Sequence, residues 1–134
     1  MALLDWHSRY VLAWRLSNTL ETTFCLAALD EALARHGVPE IHNNDQGAQF
    51  TSAEYVGRLE ARGIQISWDG RGRVYDNIFV ERLWRSVKYE YLYLHEHADG
   101  RQLEQGLGEY LRFYNEARPH QALNYRTPQE VYRN

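Results

Sequence analysis

Apolar and polar positions change period several times along the chain. Residues 1–5 (MALLD) and 10–16 (YVLAWRL) are apolar, aromatic runs with few turn residues, and both read as strands. Residues 6–9 (WHSR) between them suffice for a hairpin turn. The period then becomes helical. Leu20, Phe24, Ala27, Ala28, Leu29 and Leu33 form an apolar stripe, with Asn18 or Thr19 as cap and Gly37 and Pro39 as the stop. A brief strand (EIHN, 40–43) precedes a second helix over 51–63, capped by Ser52 and ended by Gly63. Residues 64–68 (IQISW) alternate as a strand does. After a polar loop (DGRGRVYDN, 69–77), a long third helix is expected from about Asn77 to about Leu94, with Phe79, Leu83, Trp84 and Val87 on its apolar side. A fourth amphipathic helix covers about 101–117. The tail RPHQALNYRTPQEVY ends in a helical turn after Thr127. This order of elements is that of an α/β protein with a mixed sheet.

Length and composition set bounds on this picture. The chain has 134 residues, 44% hydrophobic and 25% charged, which suits one globular domain spanning 1–134. No apolar run approaches the roughly 18 residues that a membrane helix needs. Asp5 and His7 interrupt the only apolar start, so nothing reads as a signal peptide. Cys25 is the single cysteine and lies on the helical apolar stripe, so it reads as a small core residue in a cytoplasmic protein. Trp14 and Trp84 read as core as well.

The net charge of −3 gives no general argument for nucleic acid, but charge is unevenly placed. Residues 71–88 carry Arg71, Arg73, Arg82, Arg85 and Lys88 against Asp76 and Glu81. Such a stretch can hold phosphates; the alternative is a solvated helix face. Asp45 follows the strand at Ile41, on the edge where α/β sheets place functional loops. Glu81 falls in the first turn or so of the third helix. Two such carboxylates in a cationic neighbourhood suit Mg²⁺ or Mn²⁺, hard cations that prefer oxygen ligands. A turn residue and a helix-start acid are the plainer alternatives. The six histidines show no zinc pattern, and the pair His95 and His97 reads as a solvated helix end.

Two segments are more specific. NNDQGAQFTS (43–52) and GRVYDNIFVERLWRSVKYE (72–90) together resemble the integrase core of bacterial insertion-sequence transposases of the IS3 type, relatives of retroviral integrases. The opening LLDWHSRYVLAWRL (3–16) resembles that family's second and third strands, and the ending from Tyr114 to Tyr132 resembles the close of its core. The resemblance implies a ribonuclease H-like fold. It implies two aspartates and a glutamate as catalytic acids, the last two separated by 35 intervening residues, as Asp45 and Glu81 are here. It implies Mg²⁺ or Mn²⁺ as cofactor, and DNA strand cleavage and transfer by metal-dependent phosphodiester chemistry. The partners it implies are DNA, as insertion-sequence ends and target, and a second copy or a full-length transposase. Gln46, Arg71, Arg73, Arg85 and Lys88 would contact DNA. For Gln46 local turn chemistry is the alternative, and for Arg85 and Lys88 a solvated helical charge.

One element of the family pattern has no counterpart in these residues. The family's first aspartate lies on a first strand, in a segment like TDITY, ahead of the one that MALLD resembles. Asp5 occupies the hairpin position instead, where it is expected to order a turn with Ser8. The sequence therefore reads as an N-terminally truncated core lacking its first strand, impaired by the loss of one ligand. The alternative is a non-catalytic remnant that associates with full-length transposase and inhibits it.

Overall fold

Helix α1 (Thr23–His36) shows why the first half of the chain folds as it does. Cys25, Leu26, Ala28, Leu29, Ala32 and Leu33 repeat at helical spacing and are all buried. Gly37, just beyond the helix, has φ +82, a left-handed conformation that costs glycine nothing, and its N–H donates to Leu33 O at 3.2 Å. The computed structural model describes residues 1–16, 23–44, 53–68 and 78–133. The expected caps Asn18, Thr19 and Ser52 lie outside them.

The chain forms two compact units, one of residues 1–3 and 12–78, the other of residues 4–11 and 79–134. In the first, α1 packs on α2 (Ala53–Ala61), and the core gathers Cys25, Leu26, Leu29, Leu33, Tyr55, Leu59 and Ile64. Strand β3 (Ile41–Asn44) runs parallel to β4 (Gln65–Trp68), with Ile41 opposite Gln65 and Asn44 opposite Trp68. Gly63, at φ +71, ends α2 and turns the chain into β4.

Strands β1 (Ala2–Leu4) and β2 (Val11–Trp14) form the other two-stranded sheet. Its turn belongs to the second unit and follows from Asp5 and Ser8. Asp5 Oδ2 accepts from Ser8 N–H at 3.0 Å and from the Ser8 hydroxyl at 2.5 Å, and Ser8 is fully buried. Arg9 supplies the positive φ, +64, that closes the turn. The hairpin pairs antiparallel and β3 pairs with β4 in parallel, the two pairing senses of a mixed α/β fold.

The rest of the second unit is helical. Helix α3 runs Ile78–Glu90 and a 3-10 turn covers Leu92–Leu94. The expected single helix to Leu94 is corrected here: Tyr91 adopts φ −130 and ψ −63, which breaks the helical ladder. Its ring is committed to other contacts. Tyr91 Oη meets His97 Nε2 at 2.7 Å, and the ring stacks on His95 at 4.5 Å. His95 and His97 are therefore partners of Tyr91 and not simply a solvated helix end. Helix α4 (Gly100–Glu116) starts at Asp99, whose side chain accepts from Gln102 N–H. The tail closes with α5 (Pro128–Tyr132), capped by Thr127. The Asn115 side chain accepts from Val11 N–H at 2.8 Å and donates to Val11 O at 3.0 Å, imitating a neighbouring strand. Among the described residues no helix is long and apolar enough to cross a membrane.

Candidate active site

Of the expected site residues, Glu81, Arg85 and Lys88 fall on described parts of the chain, and all three are exposed on α3. Their spacing of four and seven puts them on one face of the helix. Leu83 and Val87 are buried on another face, and Phe79 and Trp84 are half-buried. The helix is thus pinned by its apolar side, which makes Glu81 a carboxylate on a rigid element. Among the described residues, none of the three joins an ion pair, so their charges are available to a ligand. Asp45, Gln46, Arg71 and Arg73 lie outside the described residues.

The start of α3 is held by the hairpin turn of its own unit. Trp6 packs on Phe79 with ring centroids 5.5 Å apart, and the Arg9 guanidinium sits 3.8 Å over the Phe79 ring. Burial is the main influence lowering the Arg9 pKa, and Arg82 adds to it. Asp5 is committed to Ser8, in the turn that the sequence predicts. Trp6 is 40% exposed, and its ring is tilted 54° to that of Phe79.

In the first unit, the strand that leads to Asp45 is fixed from two sides. β3 pairs with β4, and Tyr55, fully buried on α2, meets His42 Nε2 through its hydroxyl at 3.3 Å. Burial drives the Tyr55 pKa upward, so the phenol stays neutral. Asp45 follows β3 directly in sequence.

A second arrangement was not visible in the sequence. Glu90, the last residue of α3, receives both arms of Arg118: Nε to Oε1 at 2.8 Å and a terminal nitrogen to Oε2 at 2.6 Å. The Tyr110 hydroxyl also donates to Oε1 at 2.7 Å. The Arg118 hydrogen bond is the chief cause holding the Glu90 carboxyl below its ordinary pKa. Through this pair Arg118 ties the tail to the end of α3. Next to it, Arg85, Ser86, Tyr89 and Glu90 line a shallow open groove of about 400 Å³. Helical spacing from Glu81 could have flagged Tyr89, eight residues on; nothing in the sequence marks Arg118 as the partner of Glu90.

Comparison with known proteins bears on the family and fold of the chain. Two family models, both described as integrase core domain, match residues 1–74 and 62–128. A transposase for insertion sequence element IS629 of Shigella sonnei is 30% identical over 130 residues, covering 96% of this chain and 44% of the relative. A putative transposase InsK for element IS150 of Escherichia coli K12 is 31% identical, covering 98% and 47%. The chain thus spans less than half the length of these two relatives. The catalytic core domain of HTLV-2 integrase, solved in complex with magnesium, superposes with a TM-score of 0.73 at 20% identity, covering 96% of this chain and 80% of that one. At that identity the likeness shows the fold.

Proposed function

This chain belongs to the integrase core family, with the IS3-type insertion-sequence transposases, and on that premise we propose that it carries part of a metal-dependent DNA strand-transfer site. Asp45 and Glu81 are its carboxylates. Gln46, Arg71, Arg73, Arg85 and Lys88 contact DNA. The observation that carries this reading is the shared exposed face of α3: Glu81, Arg85 and Lys88 stand together, without ion-pair partners among the described residues, above a buried apolar side. An acid beside unpaired cations suits a phosphodiester whose charge is shared between a metal ion and the protein.

The donor set fits Mg²⁺ or Mn²⁺. Both proposed ligands offer carboxylate oxygen, the class such hard cations prefer, and among the described residues no cluster of three or more His, Cys, Asp or Glu competes for them. When bound, these ions lower the charge cost of in-line attack on phosphorus by a water or a DNA 3′-hydroxyl. The chain's own residues do the positioning. Leu83 and Val87 fix the helix, Glu81 stays in place on it, and Arg85 and Lys88 hold phosphates one and two turns further along. The partners are insertion-sequence ends and target DNA, with a second copy of the chain or a full-length transposase.

Residues 1–134 by themselves carry two of the family's three acids, so this polypeptide alone is expected to transfer strands poorly. The test is a strand-transfer assay with DNA bearing terminal inverted repeats and Mn²⁺. Weak nicking that drops to background in Asp45→Asn and Glu81→Gln supports the site. Nicking unchanged in both variants overturns it. Robust transfer that Asp45→Asn abolishes keeps the site and overturns the impairment. If co-expressed chain lowers transposition by an intact transposase, the inhibitory alternative gains; unchanged transposition counts against it.

A further inference from the structure

Tyr89, near the end of α3, and Tyr93, in the 3-10 turn that follows it, are left unused by the strand-transfer reading. Tyr89 is 63% exposed and Tyr93 is 66% exposed, although aromatic rings of this size are usually covered. They pack edge to face, with ring centroids 5.3 Å apart and planes at 89°. Each ring therefore braces the other. Tyr89 also lines the shallow groove with Arg85, Ser86 and Glu90.

We propose that Tyr89, braced by Tyr93, is a stacking platform for an unpaired DNA base, and that the Arg85 groove holds the adjoining phosphate. This rests on the reading of α3 as a DNA-facing helix and adds a binding mode to it. Three features favour a single-stranded nucleic acid over a protein partner. The groove combines an aromatic face with a cation, the combination that single-strand binding surfaces use. Arg85 and Lys88 have no ion-pair partner among the described residues, so the cationic side is free. The one acid in the groove, Glu90, is already occupied: Arg118 takes both of its oxygens and Tyr110 donates to one. Its charge is thereby largely offset, which removes the repulsion a phosphate would meet. Lys88 precedes Tyr89 in sequence, and Arg85 lies one turn earlier.

The proposal is tested with the whole chain and three probes of equal length: oligo-thymidylate, an abasic deoxyribose-phosphate oligomer, and a blunt duplex. Affinity is read by fluorescence anisotropy. Tyr89→Ala is expected to weaken oligo-thymidylate binding by about tenfold, the scale of one lost base stack. Tyr89→Phe should bind like the parent, since the ring and not the hydroxyl does the stacking. Abasic and duplex binding should be unchanged by either. Arg85→Ala should weaken all three probes and lower their salt dependence. If Tyr89→Ala leaves oligo-thymidylate affinity unchanged while Arg85→Ala weakens it, the platform is overturned and the DNA-facing helix stands. If Tyr89→Ala weakens the abasic probe equally, its effect is on the fold and the platform is again overturned. If neither variant changes any probe, both readings fall. Unchanged DNA binding with altered self-association in the Tyr89→Ala, Tyr93→Ala double variant would make the patch a protein contact instead.

Discussion

Arg118 closes on Glu90 as a two-armed fork, at 2.8 and 2.6 Å, across 28 residues of sequence. The pair ties the end of α3 to the start of the tail, and Tyr110 on α4 joins it through its hydroxyl. Because the Glu90 side chain is 38% exposed, solvent screens much of the attraction. We expect Arg118→Ala to cost about 1 kcal/mol, or about 4 °C in Tm for a domain of this size. Arg118→Lys should recover only part of that, since an ammonium cannot make the planar two-armed contact. Thermal unfolding followed by circular dichroism checks both; a lysine variant equal to the parent would reduce the pair to simple charge.

Acid should destabilise the protein in two stages. Burial is the main cause lowering the His120 pKa from its ordinary 6.5, with Arg118, Arg9 and Arg82 adding to it. Below that value the unfolded chain takes up a proton that the folded chain resists, so stability falls as pH drops through it. Glu90 is also depressed, from 4.5, so its contribution is present above that value and is lost as pH falls further. In a Tm–pH profile, His120→Gln should flatten the first decline and Glu90→Gln the second. An unchanged first decline in His120→Gln would assign it to other histidines.

Gly106 is required by what lies over it. A Cβ there would run into the Tyr91 hydroxyl and come within 2.7 Å of its Cζ. Tyr91 cannot easily yield, since it is bonded to His97, stacked on His95 and packed against Tyr110. Gly→Ala inside a helix ordinarily stabilises by about 1 kcal/mol. Here we expect a loss of about 2 kcal/mol from the forced overlap. Denaturant unfolding of Gly106→Ala, alone and with Tyr91→Leu, separates the effects. Stabilisation by the single change would contradict the packing described.

Thr127 is buried and caps α5, accepting from Glu130 N–H at 3.2 Å. Thr127→Ala should cost about 1 kcal/mol and Thr127→Ser much less. Equal loss in both variants, measured by urea unfolding, would point to the methyl group and not to the cap.

The local elements were legible in the sequence because their signals are local. Gly37 and Gly63 mark helix ends, Pro128 after Thr127 marks a helix start, and the stripe from Phe24 to Leu33 marks a buried face. The end of α3 was not legible. Residues up to Leu94 are compatible with a helix, and what stops it at Tyr91 is a tertiary engagement with His97 and Gly106. The same holds for Glu90 and Arg118, whose partnership no periodicity records. At the candidate site, the exposed face of Glu81, Arg85 and Lys88 followed from helical spacing. The proposed pairing of Asp45 with Glu81 rests on the family resemblance, since two isolated carboxylates carry little information by themselves.

The proposal that Asp45 and Glu81 are ligands of one divalent-metal site is checked by titrating the chain with Mn²⁺ and reading free ion by electron paramagnetic resonance. One weak class of site is expected, which Mg²⁺ displaces and which either Asp45→Asn or Glu81→Gln removes. Binding that survives both substitutions would contradict it.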